Sequence, residues 1–389
     1  MTATADVIII GGGVMGSSAA CNLLSDGLDG RLVVFERDPV HERSSTGLSA
    51  GGIRQQFGYR DNVLFSRYSV GFFERFGELM AVDGEAPEID FRQKGYLILA
   101  GEDGLAALRR RYELQRSLGV EVSLLTPEEA QARVPHLSLE GIAAAAFCPR
   151  DGYLDPYAVM AGYEKKARSL GADYRAEAVV GVTRERGRVA GVVTAGGEQM
   201  LAPIVVNAAG PWAGEVGTMA GVEVPVVPVR RHVFTCKIPA ELDYELPMVV
   251  DPSGVFVRTE TGGRILTGRA DPEEPAGFNF APDRSYFLDV IWPALAGRLP
   301  LLDRVGLERF WAGLYEVTPD HNAIIGEHPD LPGFYLIGGF SGHGMMQAPA
   351  AGRALADLIL KGRYEAVDAT PYCLERFARG ELIHEETVI

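Results

Sequence analysis

VIIIGGGVMG, residues 7–16, is the stretch whose reading decides the fold. Four β-branched residues favour a buried parallel strand, and the glycines after them let the chain turn sharply into a helix. Gly11, Gly13 and Gly16 fit G-x-G-x-x-G, with Val14 and Met15 inside the pattern. The first glycine permits the turn, the second admits a diphosphate close to the backbone, and the third lets the helix pack on the strand. The first amides of that helix then face the phosphates. The pattern alone is weak evidence, but here a helix over 17–25 and a strand over 31–35 complete it. That strand ends in Glu36, followed by Arg37. The acid stands about twenty residues past the last glycine, where a carboxylate meets the ribose hydroxyls of an adenosine.

With 389 residues the chain has the length of two domains and a large core. Its net charge of −15 argues against nucleic acid or an anionic membrane as partner, because both need basic patches. Cys21, Cys148, Cys236 and Cys373 show neither metal spacing nor a disulfide framework. No metal site is expected. A strand begins almost at once, with no leader-like segment before it, and no apolar run has the length of a membrane span. These features predict a cytoplasmic protein.

Farther along, residues 41–59 form a loop rich in Ser and Gly. Ser44, Ser45, Thr46 and Ser49 are candidate phosphate donors, and Ala50, Gly51 and Gly52 let the backbone lie against a ligand. Arg54 is the first cation after them. A solvated loop is the plain alternative. Helical spacing over 62–80 places its aromatics in a core. Residues 90–100 read as a strand, 105–118 as a helix, and Thr126-Pro127 as a helix start. A helix over 156–170 precedes a strand holding Val179. The stretch 204–210, IVVNAAG, is a buried strand whose small end puts Ala208, Ala209 and Gly210 beside the nucleotide, with Trp212 on the next helix start. Residues 222–270 read as antiparallel hairpins turning at 261–263, and 286–299 as a helix. At the end, LIGGF leads into SGHGMMQ and a helix over 345–360.

GGGVMG, STGLSAGGIR, IVVNAAGPWA and GFSGHGMMQAPAAGR together resemble the FAD-dependent D-amino-acid oxidase family, which includes sarcosine oxidase, glycine oxidase and dimethylglycine dehydrogenase. Within it they look most like a FAD-dependent oxidoreductase-domain subgroup linked to complex I assembly. The resemblance implies an α/β fold with a discontinuous Rossmann-like FAD-binding domain, residues 1–85, 145–222 and 318–389. A second, antiparallel-sheet substrate domain takes 86–144 and 223–317. It also implies that Val179 meets the adenine through its main chain, although a buried strand residue has the same chemistry. Gly339, Gly342, His343, Gly344, Met345 and Met346 would lie beside the flavin, where a helix start stabilises negative charge on the reduced ring. Tyr315 would edge the same ring.

Family members oxidise a C–N bond. The resemblance therefore implies a small amine or amino-acid substrate, of the sarcosine, dimethylglycine or proline kind. Arg54 is the first choice for its carboxylate, with a structural partner as the alternative reading, and Arg269 is a weaker choice. His343 takes a cofactor-side, packing or proton-transfer role. Where sarcosine oxidases attach FAD to cysteine this chain has Gly313, and where dimethylglycine-type enzymes use histidine it has Leu48, so non-covalent FAD is expected. Met346 replaces a carboxylate-binding lysine, and no lysine occurs between Lys237 and Lys361 to activate oxygen, which leaves another electron acceptor or a partner subunit open. The alternative function is a FAD-containing assembly or electron-relay protein that turns over no amine.

Overall fold

The computed structural model describes residues 3–239 and 242–385. The outermost residues of the 1–85 and 318–389 segments, and 240–241 within 223–317, lie outside the described residues. A six-stranded sheet runs in the order Ile324–Glu327, Phe334–Gly338, Ile204–Asn207, Val7–Ile10, Leu32–Glu36, Asp173–Ala176. Its pairs are parallel except at the edge, where Ile324–Glu327 runs against Phe334–Gly338. Val7–Ile10 is buried on both faces. Val7 and Ile9 pack with Val14, Ala19 and Ala20, whereas Ile8 and Ile10 pack with Val179, Val182 and Met200. The alternating directions of a strand explain why this element has no polar face.

The helices Val14–Ser25 and Gly344–Lys361 pack closely on the first of those faces. The Ser18 hydroxyl donates to the Ala348 carbonyl at 2.8 Å, and a Cβ at Gly352 would overlap that hydroxyl. Both helices therefore start side by side, with Met15 Cε 3.3 Å from the place a Gly344 Cβ would take.

An eight-stranded sheet runs in the order Gly306–Val317, Val227–Lys237, Arg264–Arg269, Phe256–Glu260, Met248–Val250, Tyr96–Ala100, Ala144–Cys148, Ser123–Leu125. It is antiparallel except that Met248–Val250 lies parallel to Tyr96–Ala100, the seam at which two separate chain segments meet. Phe287, Ile291 and Leu295 join the core behind it. Because Ala144–Cys148 pairs within this sheet, we propose drawing the domain boundary after Cys148 rather than at 145.

Local differences have local causes. The expected helix over 62–80 is divided into Arg60–Phe73 and Phe76–Leu79, and the expected strand over 90–100 is paired in the sheet only from Tyr96, after positive φ at Asp90 and Gly95. The helical stretch near 286–299 widens over Phe287–Ile291 before Pro293, which lacks the amide needed for regular pairing. The sequence TPD proves structural. Arg376 donates to both Asp320 oxygens, at 2.7 and 2.9 Å, in a buried pair that also takes the amides of Asn322 and Ile383. Burial raises the Asp320 carboxyl, but Arg376 outweighs it and holds the group below the usual carboxylate range. Asp320→Ala strands a buried guanidinium, so chemical denaturation should reveal a loss of about 3–5 kcal/mol. A loss under about 1 kcal/mol, the scale of an exposed pair, would contradict this account.

Candidate active site

Between the carboxyl ends of the parallel strands and the inner face of the eight-stranded sheet lies a cleft of about 2030 Å³, counted out to its open mouth. Gly11, Gly13, Val14 and Met15 form its floor. Gly11 has φ of 106°, and a Cβ on it would overlap the Ala208 carbonyl oxygen. A Cβ on Gly16 would overlap the Gly11 carbonyl oxygen, so this third glycine serves packing and stands behind the lining. The helix has no side-chain cap at Gly13, and its positive end faces the cleft.

Glu36 lines the cleft and also braces the turn. Its Oε2 accepts the Gly12 amide at 2.8 Å and its Oε1 the Asp38 amide at 2.7 Å. Nearby, the Arg37 guanidinium lies 3.7 Å from the Trp212 ring centroid, and Trp212 stacks on Phe278. Val179, Ala208, Ala209 and Gly210 complete this end.

The serine-rich loop is tied down more than its sequence suggests. Ser45 donates its one hydroxyl proton to the Leu314 carbonyl at 2.6 Å, so that proton anchors the loop to the opposite sheet. Thr46 Oγ1 accepts the Val14 amide at 3.2 Å, and Ser49 Oγ accepts the Gly51 amide at 3.1 Å. Ser44, Ser45, Thr46, Ser49, Ala50 and Gly52 line the cleft. Gly51 and Gly339 stand outside it, each at a turn with positive φ.

At the far end the structure joins two predicted residues. Arg54 is 2% exposed, donates from Nη1 to the Gln56 carbonyl at 2.6 Å, and brings Nη2 to 3.4 Å from His343 Nε2. A guanidinium has no acceptor, so Nε2 meets it as the unprotonated nitrogen of the ring. Phe57 backs both groups, 4.0 Å below the guanidinium and edge-on to the imidazole. Burial lowers the Arg54 pKa, and the charge of Glu385 heads the contributions that oppose it. Gln55 and Gln56 are held in turn by the buried Asp151 carboxylate. His343 directly precedes the helix Gly344–Lys361, whose first residues Gly344, Met345 and Met346 line the cleft. Beside it, Gly342 has φ of 101° and its missing side chain makes room for the Tyr315 ring.

Arg269 lies on the sheet wall, donating to the Ser253 carbonyl at 2.8 Å and the Tyr286 hydroxyl at 3.3 Å. Residues absent from the sequence-based set also line this end, namely Tyr96, Arg231, His232, Met248, Phe256 and Glu316. The usable signal was RRH within the apolar strand VPVRRHVFTC, and a lone acid in GLYEV. Glu316 Oε1 accepts the Phe340 amide at 3.3 Å, whereas Oε2 is buried with no hydrogen-bond partner among the described residues. Burial pushes this carboxyl up to about 7, against the pull of the Gly339 and Phe340 amides. Among the described residues no side-chain cluster suits a metal ion, and no helix is long and apolar enough to cross a membrane.

The glycine floor, the helix start facing the cleft and the Glu36 carboxylate fit FAD, and the comparisons agree. The model of the family described as FAD dependent oxidoreductase matches residues 6–358. The chain is 36% identical over 426 residues to "FAD-dependent oxidoreductase domain-containing protein 1" of Bos taurus, covering 99% of this chain and 87% of that one. It is 30% identical to "Sarcosine dehydrogenase, mitochondrial" of Homo sapiens, covering 97% of this chain but 42% of the relative. The crystal structure of L-proline dehydrogenase from P. horikoshii matches with a TM-score of 0.88 and 31% identity, covering 98% of this chain and all of the other.

Glu316 supplies a pH test. Between 4.5 and about 7 the folded chain holds a proton that the unfolded chain has released, so this group costs stability as pH rises through that window. In flavin-free protein, Glu316→Gln should melt higher relative to the parent above the window than below it. Parallel melting curves across pH would contradict the placement of this carboxyl.

Proposed function

Because the chain belongs to the FAD-dependent oxidoreductase family, with FAD as its cofactor, we propose that it oxidises the C–N bond of a small secondary amine or N-substituted amino acid at the Arg54 end of the cleft. The observation that carries this reading is the buried Arg54 guanidinium, opposite in the cleft to the Glu36 end and steadied by His343. Bound FAD supplies the two-electron acceptor for such a reaction. The residues of this chain supply position and electrostatics. The amides of Gly13 and Met15 hold the diphosphate, Glu36 takes the ribose, and Val179, Arg37 and Trp212 enclose the adenine. The start of Gly344–Lys361 points positive charge at the flavin end. Arg54 fixes the substrate carboxylate by a forked, charge-assisted contact, and Tyr96, Tyr315, Met248 and Phe256 wall off the amine. His343 keeps the guanidinium in place as a neutral ring.

FAD is held in this reading without a covalent bond. Leu48 and Gly313 offer no nucleophile, and Leu48 Cβ stands 3.0 Å from where a Gly313 Cβ would be, so one fills the space of the other. Two relatives bear the names sarcosine dehydrogenase and L-proline dehydrogenase, and sarcosine and proline are both amino acids with a secondary nitrogen.

Anaerobic addition of sarcosine, dimethylglycine, L-proline and D-amino acids to the holoprotein should bleach the flavin absorbance with at least one of them. Arg54→Met should then lower kcat/KM by about a hundredfold or more, the worth of about 3 kcal/mol of charge-assisted hydrogen bonding, and Arg54→Lys should recover part of it. A flavin that stays oxidised through a broad amine panel would instead support a role in assembly or electron relay.

A further inference from the structure

We infer that the substrate carries a second acidic group, bound by Arg231 on the sheet wall of the cleft; this rests on the reading of Arg54 as the carboxylate site. Arg231 belongs to the strand Val227–Lys237, stands opposite Gly313 and lines the cleft. Its Nη1 donates to the Arg230 carbonyl at 2.8 Å, its guanidinium lies 5.1 Å from the Tyr315 ring centroid, and its buried Nε has no partner among the described residues. Arg269, cross-strand from His232, donates to a carbonyl and a phenol. Neither arginine has a carboxylate partner among the described residues.

Several arginines elsewhere in the same half of the molecule are paired with acids. Arg230 points to the other face of the strand and binds Glu274 through two nitrogens, at 3.0 and 2.9 Å. Arg258 meets Glu260, and Arg298 meets Asp251. The wall formed by Tyr96, Arg231, His232, Met248, Phe256 and Arg269 contains no acid. Glu316 turns instead toward the Phe340 amide. In a protein of net charge −15, such a wall is not a by-product of composition.

One small ligand can meet both. Arg54, Arg231 and Tyr315 line the same cleft, with the Arg231 guanidinium 5.1 Å from the Tyr315 ring centroid. A carboxylate on Arg54 and a second acid on Arg231 would be joined by a short chain crossing Tyr315, with the amine between them. The substrate class is thus an N-substituted amino acid with an acidic side chain or an acidic N-substituent.

The test uses FAD-loaded protein and inert acids at constant ionic strength, reading Kd from perturbation of the flavin absorption spectrum. Malonate, succinate or glutarate should bind about tenfold or more tighter than acetate or propionate, the scale of one added charge-assisted contact. Arg231→Met should abolish that preference while leaving monocarboxylate binding within about twofold, and Arg231→Lys should keep part of it. Equal affinity for one and two carboxylates in the parent protein, with both lost in Arg54→Met, overturns the second site and leaves Arg54 standing. Monocarboxylate binding that survives Arg54→Met overturns the underlying reading instead. The comparison within the parent protein needs no variant to fold.

Discussion

The Ser18 hydroxyl reaches the Ala348 carbonyl only because position 352 has no side chain to stand between the two helices, and the placement of the cleft follows from that approach. Two helices that touch so closely near their middles on one sheet bring their amino ends to the same place. One start presents Gly13 to Met15 and the other Gly344 to Met346, to a single cavity. Each end carries about half a positive charge from its unpaired amides. A ligand with a diphosphate at one point and an electron-rich ring at another meets both without any lysine being spent on it. The fold thus supplies the field by backbone alone, and side chains add only direction.

Charge in this protein is sorted by place. Acids outnumber bases over the chain, yet the sheet wall of the cleft is lined by arginine, histidine and aromatic groups. Burial around Arg54 disfavours its charge, and the charges of Glu385 and Asp151 act against that. The Asp151 carboxylate, itself pushed up to about 6 by burial, accepts from Gln55 and Gln56, and the Gln56 carbonyl in turn accepts from the Arg54 guanidinium. The arginine head is thus held at the cleft by a chain of contacts that begins at a buried acid.

Much of the dinucleotide end was legible because backbone geometry restricts which residues serve. Gly11 must tolerate positive φ and Gly16 must yield to a carbonyl, and few residues do either. Glu36 was legible by its distance along the chain. The contact between Arg54 and His343, 289 residues apart, was not readable from spacing at all. Nor was the direction of a hydroxyl: Ser45 has the chemistry of a phosphate donor and uses its proton on Leu314. Arg231 and His232 sit in adjacent positions of a strand, where alternation predicts opposite directions, yet both line the cleft. The parallel seam between Tyr96–Ala100 and Met248–Val250 escaped the hairpin reading because its strands are not neighbours in sequence.

That seam, and the insertion of Phe334–Gly338 beside Ile204–Asn207, bear on how the molecule is made. A ribosome delivers Val7–Ile10 and its first helix early, but the flank that covers them arrives only with residues 344–361. Non-local pairing of this kind slows folding and leaves apolar surface waiting during synthesis. The first strand to be made is thus among the last to be covered.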